Sequence, residues 1–323
     1  MNWRLNIVER EHGIEIIFVF SKEGTINFLR LAGTILSTVL FFALISRQNW
    51  GVVYEKTSSI SLLVVFSVFA IYGLGQILNA FRWFILLYAQ QVDISFVESL
   101  KIVFAGIFAS NFLPSTIGGD TVRAVAIMRF ADKKIIAIGS IILDRIINMA
   151  AMVSLLPLPI HVFGLSALSK GLSFQMSVTS WPLLEKLKDF FRHLFPRVVA
   201  ALDAWRAKPW ALVHAYVVGF VSNLLPMLGT FLLARSVGIG VSYYQVVAVQ
   251  TITYFFSVLP ISINGYGVRE VLYTTLYTQL GATLEQASIL ALLSRLLTML
   301  ATTPGAFWLS RSVLRASSRK IEL

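Results

Sequence analysis

The sequence predicts an all-α polytopic membrane protein, built as an inverted repeat with two re-entrant broken-helix hairpins. Three observations carry this. The 323-residue chain is 57% hydrophobic and only 13% charged, with a mean hydropathy of +0.76, a balance typical of chains embedded in lipid. Two stretches are gap-free copies of each other: LPSTIGGDTVR (Leu113 to Arg123) and LPISINGYGVR (Leu259 to Arg269) agree at Leu, Pro, Gly119/Gly265, Val122/Val268 and Arg123/Arg269. Both put helix-breaking Pro and Gly inside apolar regions, which lipid tolerates only where the freed backbone is buried in protein or lines a wet cavity. A paired break in two halves is the best sequence pointer to a transporter's binding site.

The elements follow in order. Residues 1–27 mix Glu9, Glu11, Glu15 and Glu23 with basic residues and lack a small-residue cleavage site, so they are not a signal peptide. The apolar run Ile14 to Phe20 is too short to cross and reads as an interfacial or packed segment. Spans are predicted at 28–46, 60–81, 135–157, 209–234 and 286–309. Two further apolar regions are interrupted, 99–130 at Pro114–Gly119 and 243–284 at Pro260–Gly267. Segment 162–180 is weakly apolar, carries Lys170, and leaves its crossing open. Segment 181–208 is rich in Lys and Arg and reads as a basic cytoplasmic loop on the membrane surface. The tail, 311–323, holds Arg311, Arg315, Arg319 and Lys320 and is expected in the cytoplasm. Trp50, Trp83, Trp181, Trp210 and Trp308 fall near proposed span ends, as an aromatic belt would.

Residues 28–310 thus form one transmembrane domain with repeat halves at about 60–160 and 209–310. Lys101 on one flank of the first hairpin, and Arg129, Lys133 and Lys134 on the other, suit entry from the cytoplasm. The second hairpin has little basic charge at either end, which suits entry from outside. With 162–180 crossing, the halves come out inverted and both termini cytoplasmic, in the cell's inner (cytoplasmic) membrane.

Several classes of function are disfavoured. There is no Cys, and His12, His161, His193 and His214 are scattered, so no metal ligand set is expected. No P-loop is present, and no cofactor is expected. The net charge of +11 sits between apolar spans, so anionic lipid explains it better than nucleic acid. A hydrolase or transferase would need a Ser/His/Asp set or clustered His and acids. The chain is therefore expected not to be an enzyme.

Five arginines lie within or at the ends of apolar segments: Arg82, Arg123, Arg145, Arg269 and Arg295. Three acids accompany them: Asp120, Asp144 and Glu270. Each Arg at a helix centre costs about 2.5–3.5 kcal/mol even on the insertion scale. Five positive charges against three negative leave two over, which suits an anionic phosphate headgroup gripped bidentately, aided by broken-helix N-termini. The alternative is that the arginines pair with acids and freed carbonyls and only hold the hairpins in place. Arg82, near a proposed span end, has a third option of snorkelling to the interface. Asp120 suits either an i,i+3 pair with Arg123 or an N-cap. Asp144 suits either pairing or carrying a proton. Asn111, Pro114, Gly118, Gly119, Pro260, Asn264, Gly265 and Gly267 make the breaks, the glycines chiefly for backbone geometry.

The order of motifs carries a resemblance. Arg82-Trp83 closes a span; a run from Asn111 ends in Gly118-Gly119-Asp120-x-x-Arg123; a helix carries Asp144-Arg145; and Asn264-Gly-Tyr-Gly-Val-Arg-Glu270 precedes a helix with Arg295. Over residues 25–312 this resembles the lysylphosphatidylglycerol synthase transmembrane-region family, also called flippase-like membrane proteins. The resemblance implies re-entrant hairpins and movement of lipids between leaflets. Some relatives continue into a soluble aminoacyl-transferase domain; this chain ends soon after its last span, so that activity is expected to be absent. Two departures bear on the headgroup pocket. Ile263-Asn264-Gly265-Tyr266 stands where the family usually has Pro-Gly-Gly, and Asn148 stands where relatives often carry an acid.

The expected function is a lipid transporter or flippase that moves an anionic lipid or lipid-linked headgroup through an Arg-lined midplane site. The alternative is a non-transporting accessory subunit of a lipid or cell-envelope glycan pathway. The expected partner is that lipid, with no nucleic acid; a homo-oligomer is compatible with the sequence. The inverted arrangement has a direct test. Single Cys residues placed at Ala131 and Gly240, clean in a Cys-free chain, are expected to react with a membrane-impermeant label from opposite faces. Labelling of both from one face contradicts the arrangement.

Overall fold

A computed structural model describes residues 2–10, 13–21, 60–112, 118–128, 134–164, 205–258 and 268–309, with isolated positions at 51, 58, 130 and 203. The predicted span 28–46, segment 165–202, the basic tail and the residues of both breaks between the flanking helices lie outside the described residues.

The membrane body is all-helical, as the hydropathy predicts. Ahead of it, β1 (Asn2–Arg10) and β2 (Gly13–Ser21) pair as an antiparallel hairpin. The strand β2 contains the apolar run 14–20, which hydropathy alone leaves as an interfacial or packed segment.

The first half runs α1 (Leu62–Ala89), α2 (Phe96–Phe112), α3 (Gly118–Ile127) and α4 (Lys134–Val153). The second runs α5 (Pro209–Ser236), α6 (Tyr243–Val258), α7 (Val268–Gln279) and α8 (Leu284–Thr302). Each half is a long helix, a broken pair and a second long helix. The described parts of α2 and α6 run to Phe112 and Val258, and the sequence places Pro114 and Pro260 just beyond them. Both restarts carry an acid in their first turn, Asp120 in α3 and Glu270 in α7, where the helix dipole favours negative charge. Four helices among the described residues are long and apolar enough to cross a membrane: Leu62–Ala89, Ile136–Gly164, Pro209–Ser236 and Leu284–Leu309.

The most extensive helix–helix contact joins the leading helices of the two halves, α1 and α5. Lipid supplies no hydrophobic drive between helices, so close approach of backbones must do it. The facing residues are accordingly small. On α5, Ala211, Ala215 and Ala234 are buried in clusters with α1 residues, and a Cβ on Gly229 would meet Tyr72. A Cβ on Gly75 would meet Pro226 Cγ at 3.1 Å, so the proline ring inside α5 seats in a notch on α1. The C-terminal carbonyls of α1 are then tied down by the chain entering α5. The fully buried Trp205 donates its Nε1–H to the Leu86 carbonyl at 2.9 Å, and the Lys208 ammonium donates to the Ala89 carbonyl. A cation there also complements the helix dipole.

Two readings from the sequence change. The helix expected at 60–81 continues to Ala89. Arg82 and Trp83 therefore lie inside it rather than closing it, and both are buried. Snorkelling for Arg82 and a belt position for Trp83 are thereby excluded. Trp210, 44% exposed at the start of α5, does suit a belt.

Candidate functional site

A chain of alternating charges runs inward through the first half. Arg145 on α4 donates from Nε to Asp120 Oδ2 on α3. Asp120 Oδ1 also faces Arg123 Nη1 at 3.5 Å. Arg123 Nη2 donates to Asp144 Oδ2 at 2.9 Å, and Arg82 Nε on α1 donates to Asp144 Oδ1 at 2.7 Å. Both oxygens of Asp144 are thus engaged by guanidinium donors on two other helices, which favours its pairing role. The side-chain exposure falls along this path from 48% at Arg145 and 18% at Asp120 to 10% at Arg123 and 4% at Asp144, and Arg82 at the far end is likewise buried. Among the described residues, the ion pairs of this cluster join three arginines to two aspartates, one positive charge more than negative.

The network continues into the second half through Asn148, one turn beyond Asp144 on α4. Its Oδ1 accepts from Arg82 Nη1 at 2.7 Å and from Asn223 Nδ2 on α5 at 3.1 Å. Its Nδ2 donates to the Tyr254 hydroxyl on α6 at 3.3 Å. One amide therefore links the charged cluster of the first half to the helix that leads into the second break.

Local packing fixes this geometry. The Arg123 guanidinium lies over the Trp83 ring, 4.4 Å from its centroid, a cation–π contact worth about 0.5–2 kcal/mol. The Trp83 Nε1–H donates to Ser140 Oγ at 3.1 Å, which holds the ring in place. Glycines clear the way for the arginine stems. A Cβ on Gly119 would stand 2.3 Å from the Gly106 carbonyl oxygen, and one on Gly106 would meet Arg123 Cγ at 2.8 Å. A Cβ on Gly219 would reach Arg82 Cδ at 3.0 Å. Gly119 thus serves the close approach of α2 and α3. Gly118 opens α3, and Asn111 at the end of α2 donates to Thr302 Oγ1 on α8 at 3.1 Å, joining the halves beside the first break. Pro114, Pro260, Asn264, Gly265 and Gly267 lie outside the described residues.

The repeated Arg269 enters different surroundings. Its Nη2 donates to the Tyr273 hydroxyl at 3.2 Å, and its guanidinium lies 5.1 Å from that ring's centroid. Tyr273 stacks edge-on with Tyr277, and the Tyr72 hydroxyl of α1 pairs with Thr230 Oγ1 of α5 at 2.9 Å in the same core. Glu270 is buried beside Arg269 in sequence. Arg295 lies part-buried on α8, next to the buried Ser294 that stands where the first half has Asp144. The structure therefore gathers Arg82, Arg123, Arg145, Asp120 and Asp144 into one network, and sets Arg269 among tyrosines. Sequence reasoning missed Tyr254 and Trp83 as partners, since the contacts cross between helices. Tyr273 was discoverable, four residues after Arg269 on one helical face. Among the described residues no group of His, Cys, Asp or Glu is arranged to hold a metal ion.

Long apolar helices, paired helix breaks and a buried Arg–Asp network define a polytopic helical membrane protein with a polar interior. Residues 30–305 match the family described as the lysylphosphatidylglycerol synthase TM region, and the chain belongs to that family. It is also similar to UPF0104 membrane protein PH1989 of Pyrococcus horikoshii, 24% identical over 270 residues that cover 70% of this chain and 80% of that protein.

Asp144 keeps two arginines compensated in a low-dielectric interior. Asp144→Ala is expected to cost about 3–5 kcal/mol, because it strands buried charge. The loss is read as a lowered unfolding temperature in detergent. Replacing Arg82 and Asp144 together, by Leu and Ala, is expected to recover part of that loss.

Proposed function

We propose that the chain moves an anionic lipid, or a lipid-linked headgroup, between leaflets through an arginine-lined site at the midplane. The observation that carries the reading is the Arg145–Asp120–Arg123–Asp144–Arg82 network. Among the described residues it joins three arginines to two aspartates inside the membrane body. Such charge is expensive in lipid and marks pathways for polar substrates. Guanidinium groups match phosphate oxygens in geometry as well as charge. Membership of a family whose name refers to a phospholipid synthase supports a lipid substrate.

In this reading the two helix–broken pair–helix halves form an inverted repeat. The broken pairs α2–α3 and α6–α7 are re-entrant hairpins that approach from opposite faces, and Arg123 and Arg269 serve the site in turn. The protein sits in the inner membrane with both termini cytoplasmic, and it is a carrier rather than an enzyme. The link through Asn148 to Tyr254 gives one hairpin a means of sensing the other. An accessory subunit would need no surplus charge at the breaks, so the network favours transport.

The test is lipid movement in liposomes reconstituted with the purified chain. Arg123→Gln and Arg269→Gln are each expected to abolish movement of fluorescent phosphatidylglycerol while the protein remains folded. Lys at either position is expected to restore it only in part, because the bidentate fork is lost. Full movement in both Gln variants contradicts the proposal.

A further inference from the structure

The outermost ion pair of the network differs from the inner ones. Asp144 is almost wholly enclosed and grips two arginines at once. Asp120 and Arg145 are the members that a ligand reaches first, with side chains 18% and 48% exposed. Arg145 lies well inside the span Ile136–Gly164. A half-exposed guanidinium at that depth is tolerated where it faces a polar path.

Asp120 has somewhere else to go. It sits in the first turn of α3, where the helix N-terminus stabilises a carboxylate. Its other oxygen already faces Arg123 Nη1 at 3.5 Å, long for a hydrogen bond and open to shortening. A small shift off Arg145 would therefore tighten the Arg123 pair and leave no carboxylate stranded. Carboxylate and phosphate use the same guanidinium edge.

We propose that Asp120 is a built-in competitor for the headgroup: its carboxylate holds the Nε edge of Arg145, a phosphate-bearing lipid headgroup displaces it toward Arg123, and its return expels the headgroup. This rests on the transport reading above and adds to it a mechanism of release. A carrier needs binding weak enough to let go, and the three arginines of the network without such a competitor would hold a phosphate too tightly. The exchange makes and breaks only ion pairs, so no covalent step is involved.

Asp120 is then worth more to turnover than to affinity. Asp120→Asn keeps the shape and removes the charge, and Asp120→Ser is a second neutral variant suited to a helix start. The full chain in detergent is titrated calorimetrically with short-chain phosphatidylglycerol, with short-chain diacylglycerol as the phosphate-free control and inorganic phosphate in parallel. Both variants are expected to bind phosphatidylglycerol roughly tenfold or more tightly, the worth of one charge-assisted hydrogen bond. In liposomes both are expected to move fluorescent phosphatidylglycerol more slowly than wild type. Diacylglycerol is expected to show no gain, and inorganic phosphate to bind more weakly than the lipid. Unchanged or weaker lipid binding in both variants overturns the proposal. So does loss of fold in both, since a competitor is dispensable for folding. Inorganic phosphate binding as tightly as the lipid overturns the lipid assignment. Arg145→Gln separates the proposal from the reading beneath it. If Arg145→Gln loses binding while Asp120→Asn is unchanged, the headgroup site stands and the competition falls. If Arg145→Gln binds fully, the headgroup site itself falls.

Discussion

The carboxylate of Asp144 is the constraint on which the rest of the interior depends. It lies on α4, receives Arg82 from α1 on one oxygen and Arg123 from α3 on the other, and is nearly sealed from solvent. Without it, two guanidinium groups would be buried with too little compensation, a cost of several kcal/mol each. With it, the first broken pair is fastened to two spanning helices at one point. Trp83 and Ser140 then fix the direction from which Arg123 approaches, Gly106 and Gly219 give the arginine stems room, and Gly119 lets α3 approach α2 closely.

The two halves share a backbone plan but not an electrostatic one. Element lengths repeat closely, and Arg123 and Arg269 occupy matching places beside the breaks. Each guanidinium also lies against an aromatic ring, Trp83 in one half and Tyr273 in the other. In the first half carboxylates from two helices balance the arginines. In the second, Tyr273 supplies a neutral hydroxyl to Arg269, and Ser294 stands where Asp144 would be. Asn148 connects the two regimes by an amide that accepts from Arg82 and donates to Tyr254. The first-half cluster is thus built on Asp144 and Asp120, while Arg269 lies against Tyr273 with Glu270 beside it in sequence.

The fold was largely legible in the sequence because lipid imposes strict rules on it. Four of the five predicted spans correspond to helices, and the fifth, 28–46, lies outside the described residues. The helices flanking both predicted breaks are described, Phe96–Phe112 and Gly118–Ile127, Tyr243–Val258 and Val268–Gln279, while the break residues themselves lie outside the described residues. The exact end of α1 was not legible: a charged residue in a span looks like an end until its partner is seen. Arg82 was misread for that reason, and its partner Asp144 is 62 residues away. The set of charged residues was visible from composition, because charge in an apolar segment stands out. Which acid meets which arginine was not, apart from Asp120 and Arg123, whose i,i+3 spacing on one helix pairs them locally. Of the neutral members, Asn148 stood out only as a departure from the family it resembles, and Tyr254 and Ser140 gave no signal, since polar residues of this kind are common in spans and acquire meaning only through contacts between helices.

The central claim is that the surplus positive charge of this network serves an anionic headgroup. Native mass spectrometry of the protein, released from its own membrane in mild detergent, tests it most directly. The account predicts that anionic phosphate-bearing lipids stay bound through gentle activation, well above their share of the surrounding membrane. Retention of zwitterionic or neutral lipids only, in proportion to their abundance, would contradict it.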